Sequence, residues 1–409
     1  MRNYIRKWVT RFSEYITKGG ERVSLKFSNL FMRNPGEGLL LLDDVFPHQL
    51  SSFRITEFNY YLNSFEHAHV YSTGSAFPLL FERRNFNEIL AEYIEQFPQF
   101  SSRIHKYKGI NFIGGKLAYM IFLNNAIKFI EFLEIRKIPF VFTLYPGGGF
   151  QLNQQLSDDK LQRICRSPYL RKIITTQKIT NEYLLSKKFC DTSMLCFQYG
   201  GVLALEKLKI RRVAKKYYKQ DKSTFDICFV ANKYMPGGLD KGFDLFIDTA
   251  QRLTKLHSDI LFHVVGPYDS SDSDTNDLEN IVFHGLQQTH FFPSFYSRMD
   301  IILSPNIPFI LSPGAFDGFP TGACVEAGFC GVAVFCTDVL NQNLSYQDGE
   351  DLVIIEPDFE KICETVHFYY ENLDELYNLS TNGQALFSKV FNLKAQMEPR
   401  LEVISKNIT

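Results

Sequence analysis

Residues Ser312–Asp338 read SPGAFDGFPTGACVEAGFCGVAVFCTD. The stretch opens in Pro and Gly, which punctuate a turn. It continues through small residues that fit a helix start and ends in an apolar strand, Val332–Cys336. One carboxylate, Glu326, stands among Ala323, Cys324, Val325, Ala327 and Gly328. An ionised carboxylate on an apolar helix start is costly unless something pairs with it. The segment therefore describes a loop and helix start at the end of one strand, with an acceptor group in want of a partner.

Outward from this unit the same alternation recurs. Strand-like runs are expected at Leu39–Leu42, His69–Ser72, Pro139–Leu144, Lys172–Thr175 and Met194–Phe197. A second set follows at Phe225–Ala231, Ile260–Val265, Ile281–Phe283, Ile301–Ser304, Val332–Cys336 and Leu352–Ile355. Helical patterns lie between most of them, as at Asn87–Gln96, Ala118–Arg136 and Phe243–His257. Such alternation implies parallel sheets covered on both faces. The 409 residues exceed one core, so two domains are expected, over 34–206 and 223–385. Between them, Glu206–Lys222 carries eight Lys/Arg and no strand signal, so 207–222 reads as a solvated linker. A C-terminal helix is expected over 386–409, packing back on the first domain.

Composition narrows the partners. With 45% hydrophobic and 22% charged residues and a net charge of −1, nucleic acid is not a default partner. The eight cysteines include no CxxC pair, which suits buried thiols in a reducing compartment. No signal peptide is visible and no run approaches the ~20 apolar residues of a membrane span, so a cytoplasmic location is expected. Residues 1–33 hold eight Lys/Arg against Glu14 and Glu21. At helical spacing Tyr4, Ile5, Trp8, Val9, Phe12, Tyr15 and Ile16 share one face. This amphipathic basic helix suits peripheral contact with an anionic membrane, or docking on the protein's own body.

Doubly wound sheets bind ligands beyond the carboxyl ends of their strands, so the loops that follow strands carry the chemistry. The first strand of the second set runs into FVANKYMPGGLDKGFDLFIDTAQRL, from Phe229 to Leu253. There Lys233 follows the strand and Lys241 precedes a helix start, where free N–H groups and the helix dipole favour anions. In Asp317-Gly318-Phe319-Pro320-Thr321-Gly322 a loop feeds the next helix, with the N–H groups of Thr321, Gly322 and Ala323 available to a phosphate. Glu326 follows within about a turn and can accept two neighbouring hydroxyls, such as those of a ribose. Asp272-Ser273-Asp274 mimics a metal-binding triplet, but such triplets are frequent by chance in an acidic Ser-rich loop, and no metal site is expected.

The ordered set KG-helix, VVG, FHG, FYSRMDIILSP and DGFPTGACVEAGFCGVAVFCTD resembles the nucleotide-binding half of glycosyltransferase family 4, most clearly over residues 225–358. The resemblance implies a GT-B fold of two Rossmann-like domains and a retaining transfer from a nucleotide sugar. It implies that Lys241, with Lys233 near the place of the family's Arg, meets the donor diphosphate. By the same likeness Glu326 binds the ribose, Asp317 sits near the donor sugar, Phe319, Pro320, Thr321 and Gly322 line the donor, and Gly266 closes the second strand. Asp317 departs from the family by replacing a Glu and by standing one residue further from Glu326. In the first domain, TLYPGGGFQLN at Thr143–Asn153 places Gly147 and Gly148 where backbone can approach a ligand, and Tyr145 where relatives carry a His. In DDVFPHQLSSFRITEF, His48 and Arg54 are candidates to reach the acceptor or a phosphate.

Together these residues point to a metal-independent glycosyltransferase that uses a UDP- or GDP-sugar and a glycan, glycoprotein or lipid-linked acceptor, in surface polysaccharide or glycoconjugate synthesis. Two alternatives stay open at this point: a sugar-nucleotide epimerase on the same fold, and a non-catalytic scaffold that binds a partner enzyme.

Overall fold

A computed structural model describes residues 38–80, 83–109, 114–210, 213–273 and 278–408. The amphipathic helix expected over residues 1–33 lies outside them. The chain divides into two compact units, one built from residues up to 143 with 160–173 and 401–409, the other from 144–159 and 174–400.

The first parallel sheet contains β1 (Leu39–Asp43), β2 (His69–Ser72), β3 (Ile104–Lys106), β4 (Leu117–Ile121), β5 (Phe140–Leu144), β6 (Leu170–Thr175) and β7 (Leu195–Phe197), in the order β3-β2-β1-β4-β5-β6-β7. Helices α1 (Ser52–Ser64), α2 (Phe86–Gln96), α3 (Leu123–Arg136), α4 (Gln155–Cys165) and α5 (Lys178–Ser186) accompany it, and α6 (Leu205–Ile210) follows, its Leu205 and Leu208 packing in the core of the second sheet. The strand order reverses between β1 and β4, which pair in parallel with Leu41 opposite Tyr119.

The second sheet contains β8 (Phe225–Val230), β9 (Ile260–Val265), β10 (Ile281–Phe283), β11 (Ile301–Ser304), β12 (Ala333–Cys336) and β13 (Val353–Ile354), in the order β10-β9-β8-β11-β12-β13. Its helices are α7 (Phe243–Thr254), α8 (Phe292–Tyr296), α9 (Gly322–Phe329), α10 (Phe359–Glu371) and α11 (Leu373–Val390); α12 (Leu393–Asn407) ends the chain and is divided between the two units after Arg400. Successive residues of β8 feed cores on opposite faces. Phe225, Ile227 and Phe229 pack with Phe243, Phe246 and Leu253 of α7, while Cys228 packs with Ile302, Val325 and Phe387. This is the two-sided burial that a near-continuous apolar strand requires. The reversal here falls between β8 and β11, so the loops that leave these two strands flank the switch point, where an open sheet receives its ligand.

The expected alternating α/β architecture with two parallel sheets is what the chain adopts. Three elements differ from expectation. In place of one C-terminal helix over 386–409, α11 ends at Val390 and α12 starts at Leu393. The helix expected from Ala118 begins only at Leu123, because Leu117–Ile121 forms the central strand β4, paired with both β1 and β5. All five of its residues are buried, so it shows no alternation, and its apolar run merges with that of α3. The edge strand β3, Ile-His-Lys, is too short and polar to carry a strand signal.

The solvated reading of 207–222 also needs correction. Lys216 and Lys219 are exposed, but the Lys222 side chain is only 6% exposed and pairs with Asp226 of β8 at 2.5 Å and with Asp300 just before β11. Asp226 also meets His263 of β9 at 2.8 Å, and the Asp300 carboxylate accepts the Asp226 N–H at 2.8 Å. Lys215 donates to the carbonyls of Tyr296 and Met299, and burial lowers its pKa to about 8. Part of a charge run can thus be structural when acidic residues wait on the strands behind it. Removing one partner of a buried ion cluster costs about 3–5 kcal/mol, because the remaining charges lose their compensation. Lys222→Met should therefore destabilise the chain by at least about 3 kcal/mol, measured by urea unfolding at neutral pH; a loss below 1 kcal/mol would refute the role assigned to this cluster.

Candidate donor site of the second unit

The loop after β8 turns tightly at Pro236–Lys241 and hands over to α7 at Gly242, whose φ is 68°. A Cβ at Gly242 would stand 2.1 Å from the Pro305 carbonyl oxygen. Only glycine lets the loops that follow β8 and β11 touch there. Their contact is reinforced by the Ile307 N–H, which donates to the Asp240 carbonyl at 3.1 Å. Gly242 also begins α7 without a side-chain cap, so first-turn N–H groups of the helix stay unclaimed by a capping side chain.

Lys241 is buried beside this turn. Its Nζ lies 2.6 Å from Asp317 Oδ2 and 3.5 Å from Asp240 Oδ2, and 5.2 Å from the centre of the Tyr234 ring. Burial by itself would lower the ammonium pKa; the Asp317 and Asp240 carboxylates outweigh it and hold the pKa above its ordinary value. Asp240 shows the opposite balance, its pKa raised by burial despite Lys241. Asp317 is 41% exposed and also accepts from Asn306 Nδ2 at 2.7 Å. Asn306 is itself oriented by Ser304 Oγ at 2.7 Å, and its carbonyl accepts from Thr337 Oγ1 at 2.5 Å. Gln342 Nε2 donates to the Asp317 carbonyl at 3.2 Å. A pocket of about 40 Å³ opens among Asn306, Asp317, Phe319, Thr321, Thr337 and Gln342.

The helix α9 starts from Thr321, whose hydroxyl caps the Cys324 N–H. Phe319, buried, donates its N–H to Gln177 Oε1 at 3.2 Å, which fixes the approach of the loop. Glu326, one turn into α9, is half-buried. Its carboxylate has no hydrogen-bond or ion-pair partner among the described residues, and burial pushes its pKa up to about 7. The question raised by the sequence is thereby sharpened: no described residue supplies a partner for Glu326.

Lys241, Asp317 and the start of α9 thus come together around the switch point. Lys233 joins differently. Its ammonium is held by Asp272 at 2.7 Å, over the ring of Tyr268; Asp274 lies outside the described residues. Gly266 has a packing reason for being glycine, since its φ is 140° and a Cβ would meet the Ala231 carbonyl oxygen at 2.0 Å. Gly147 and Gly148 both have positive φ, and the turn closes through the Phe150 N–H on the Gly147 carbonyl. A Cβ at Gly147 would meet nothing within 4 Å, so this backbone is open to approach. Nearby, Gln151 Nε2 bonds Ser312 Oγ at 2.6 Å, and the Leu152 N–H bonds the Gly314 carbonyl at 2.8 Å.

In the first unit, Arg54 is engaged by Asp43 at 3.3 Å and by Ser51 Oγ at 2.8 Å, between the rings of Phe53 and Phe122. Asp43 in turn accepts from Val45 N–H, Phe46 N–H and Asn125. His48 is buried, and its Nδ1 accepts from the Leu50 N–H at 3.2 Å. Both residues therefore brace the loop that leaves β1. The sequence reading missed Asn306, Gln177, Asp240 and Gln342. Only Asn306 left a trace, as the polar residue of Ser-Pro-Asn directly after a buried strand.

Residues 224–372 match the family model for glycosyl transferases group 1. No curated protein sequence matches the chain significantly. Among solved structures, HepE from Anabaena in complex with UDP aligns with a TM-score of 0.62 at 14% identity, over 90% of this chain and 99% of that one. A glycosyltransferase from Rickettsia africae aligns with a TM-score of 0.63 at 13% identity, over 92% and 99%. Sucrose-phosphate synthase from Thermosynechococcus elongatus aligns at 0.60 and 13%, over 90% and 98%. These likenesses establish the GT-B fold. With the family match, which contains Lys233, Lys241, Asp317 and Glu326, they support a GT-B glycosyltransferase.

Glu326 also makes a prediction about stability. Its folded-state pKa is above the ordinary glutamate value, so the unfolded chain gives up the proton first. Its stabilising contribution is present below about pH 4.5 and lost as pH rises through about 7. Glu326→Gln removes that loss. The ligand-free variant should melt higher than the parent at pH 8, by about 2–4 °C per kcal/mol recovered, and alike at pH 4. A lower melting temperature at pH 8 would mean that Glu326 has an internal partner after all.

Proposed function

We propose that the protein transfers a sugar from a nucleotide-diphosphate sugar, of the UDP or GDP type, to a glycan, glycoprotein or lipid-linked acceptor in surface polysaccharide or glycoconjugate synthesis. Family 4 chemistry, with retention at the anomeric carbon and no metal, is the form the resemblance favours. The observation that carries the reading is Glu326, a half-buried carboxylate without a partner among the described residues, on the same helix start that receives the Asp317 loop. A ribose offers it two neighbouring hydroxyls, and hydrogen bonds to the charged form would bring its pKa back down. The solved complexes of HepE with UDP and with UDP-glucose favour a uridine donor.

In this reading the diphosphate lies between Lys241, the uncapped start of α7 and the first N–H groups of α9, with Lys233 nearby, while Phe319–Gly322 line the nucleotide and Asp317 and Asn306 address the sugar. The bond from the anomeric carbon to the phosphate oxygen breaks, and its electron pair stays on the diphosphate. Lys241 and the helix N–H groups stabilise the growing charge without waiting for solvent to reorganise. The acceptor oxygen forms the new bond to the anomeric carbon, and its proton passes to the departing phosphate oxygen. Gly147 and Gly148 offer open backbone beside the sugar. Arg54 and His48 act by positioning the loop after β1 on the acceptor side.

Calorimetric titration with UDP, GDP and the free nucleosides tests the site. Hydrogen bonds to charged groups are worth roughly 1.5–3 kcal/mol, so Glu326→Gln should weaken nucleoside diphosphate binding about ten- to a hundredfold. Lys241→Ala should weaken the diphosphate, leave the nucleoside nearly unchanged and slow transfer as well. For the parent chain, affinity should fall about tenfold from pH 8 to pH 6, as Glu326 takes up the proton that the ribose must displace. The Gln variant should show a flat profile. Unchanged diphosphate affinity in both variants would remove this pocket as the donor site.

Transfer, followed as release of nucleoside diphosphate in the presence of acceptor, should survive EDTA, because the cations assigned to the diphosphate are lysines. Complete loss, restored by magnesium or manganese, would overturn the metal-free mechanism. Donor binding without diphosphate release on any acceptor would favour the scaffold instead.

A further inference from the structure

At the far end of α7 from Lys241 lies a cluster that the donor site does not use. We propose that His257, His367 and Glu371 bind one divalent transition metal of the zinc class and so pin the end of α7 to α10. His367 and Glu371 are four residues apart on α10, which places them on one face of the helix. His257 follows α7, its N–H tied to the Leu253 carbonyl at 2.9 Å. His257 Nε2 stands 3.0 Å from His367 Nδ1, and one ligand atom from each of the three residues lies within 4.8 Å of the others. A tetrahedral ion with zinc-type bonds needs its ligand atoms about 3.3 Å apart. A slight opening of the imidazole pair admits the ion.

The cluster is supported from behind. The His257 ring rests on Tyr370 at 4.1 Å, and the Tyr370 hydroxyl donates to Asp259 at 2.9 Å. The neutral ring is the form that ligates a metal. Two imidazole nitrogens and one carboxylate oxygen suit zinc, nickel or copper over magnesium. His367 and Glu371 are exposed, which leaves room for water to complete the shell. Along the 12 residues of α7 the site is about 18 Å from the loop that carries Lys241. The ion therefore takes no part in the transfer proposed above, and the two ideas fail separately.

The test is titration of the EDTA-treated, dialysed full chain with zinc chloride, followed by calorimetry. Binding of one ion per chain at micromolar concentration is expected, with at least about tenfold weaker binding in His367→Ala and in His257→Ala. His367 is exposed, so its variant should fold as the parent does. Cobalt chloride should give tetrahedral absorption without a thiolate charge-transfer band, which separates this site from the eight free cysteines. Magnesium chloride should not compete. Absence of micromolar binding, binding unchanged in His367→Ala, or a thiolate band from the bound cobalt would each overturn the proposal.

Discussion

One ammonium group holds the second sheet together where its chain order reverses. Lys222 bridges Asp226 on β8 and Asp300 at the threshold of β11, and His263 of β9 closes the same carboxylate from the other side. The two Lys222 contacts sit at the amino-terminal ends of β8 and β11. Their pairing is fixed there, through Ile301 against Ile227 and Ile302 against Cys228. Beyond that short register the two strands are free to send their loops to different sides of a crevice. Everything assigned to the donor depends on that geometry: Lys241 arrives from the β8 loop, Asp317 and Glu326 from the chain after β11.

The site spends stability to keep itself ready. A carboxylate with a pKa near 7 is a group the fold would rather hold protonated. Its persistence in the charged form depends on a partner brought from outside. The neighbouring groups are arranged with opposite logic. Lys241, Asp317 and Asn306 satisfy one another in the ligand-free chain, and Asn306 is held in turn by Ser304 and Thr337. One half of the site is therefore preorganised through internal contacts, and the other half is left open.

Much of this was legible in the sequence because it rests on local pattern. The second set of strands appeared within a residue or two of its observed limits, since each is a short apolar run bounded by turns. Lys241 and Glu326 stood out because a cation and an anion occupy helix starts where small or capping residues would be the bland choice. What escaped depends on distance in the chain. β4 is buried on both faces and continues into α3, so neither period nor punctuation marks it. Lys222 looked like one more surface lysine because its carboxylate partners lie on other elements. Arg54 gave no sign that Asp43 would claim it, and Gln177 gave none that it would hold the Phe319 backbone across 142 positions of sequence.

The pairing of Lys241 bears on how a donor would arrive. In the ligand-free chain this ammonium faces two carboxylates, Asp317 at 2.6 Å and Asp240 at 3.5 Å. Seen from a distance the group is no beacon for an anion, because its field is cancelled before it leaves the crevice. An approaching diphosphate gains little from long-range attraction and must take the lysine from Asp317 by contact. Such a site captures by exchange of one counter-charge for another. Its encounter rate is governed by shape and loop position, and it admits an anion only where helix N–H groups are already in place to receive it.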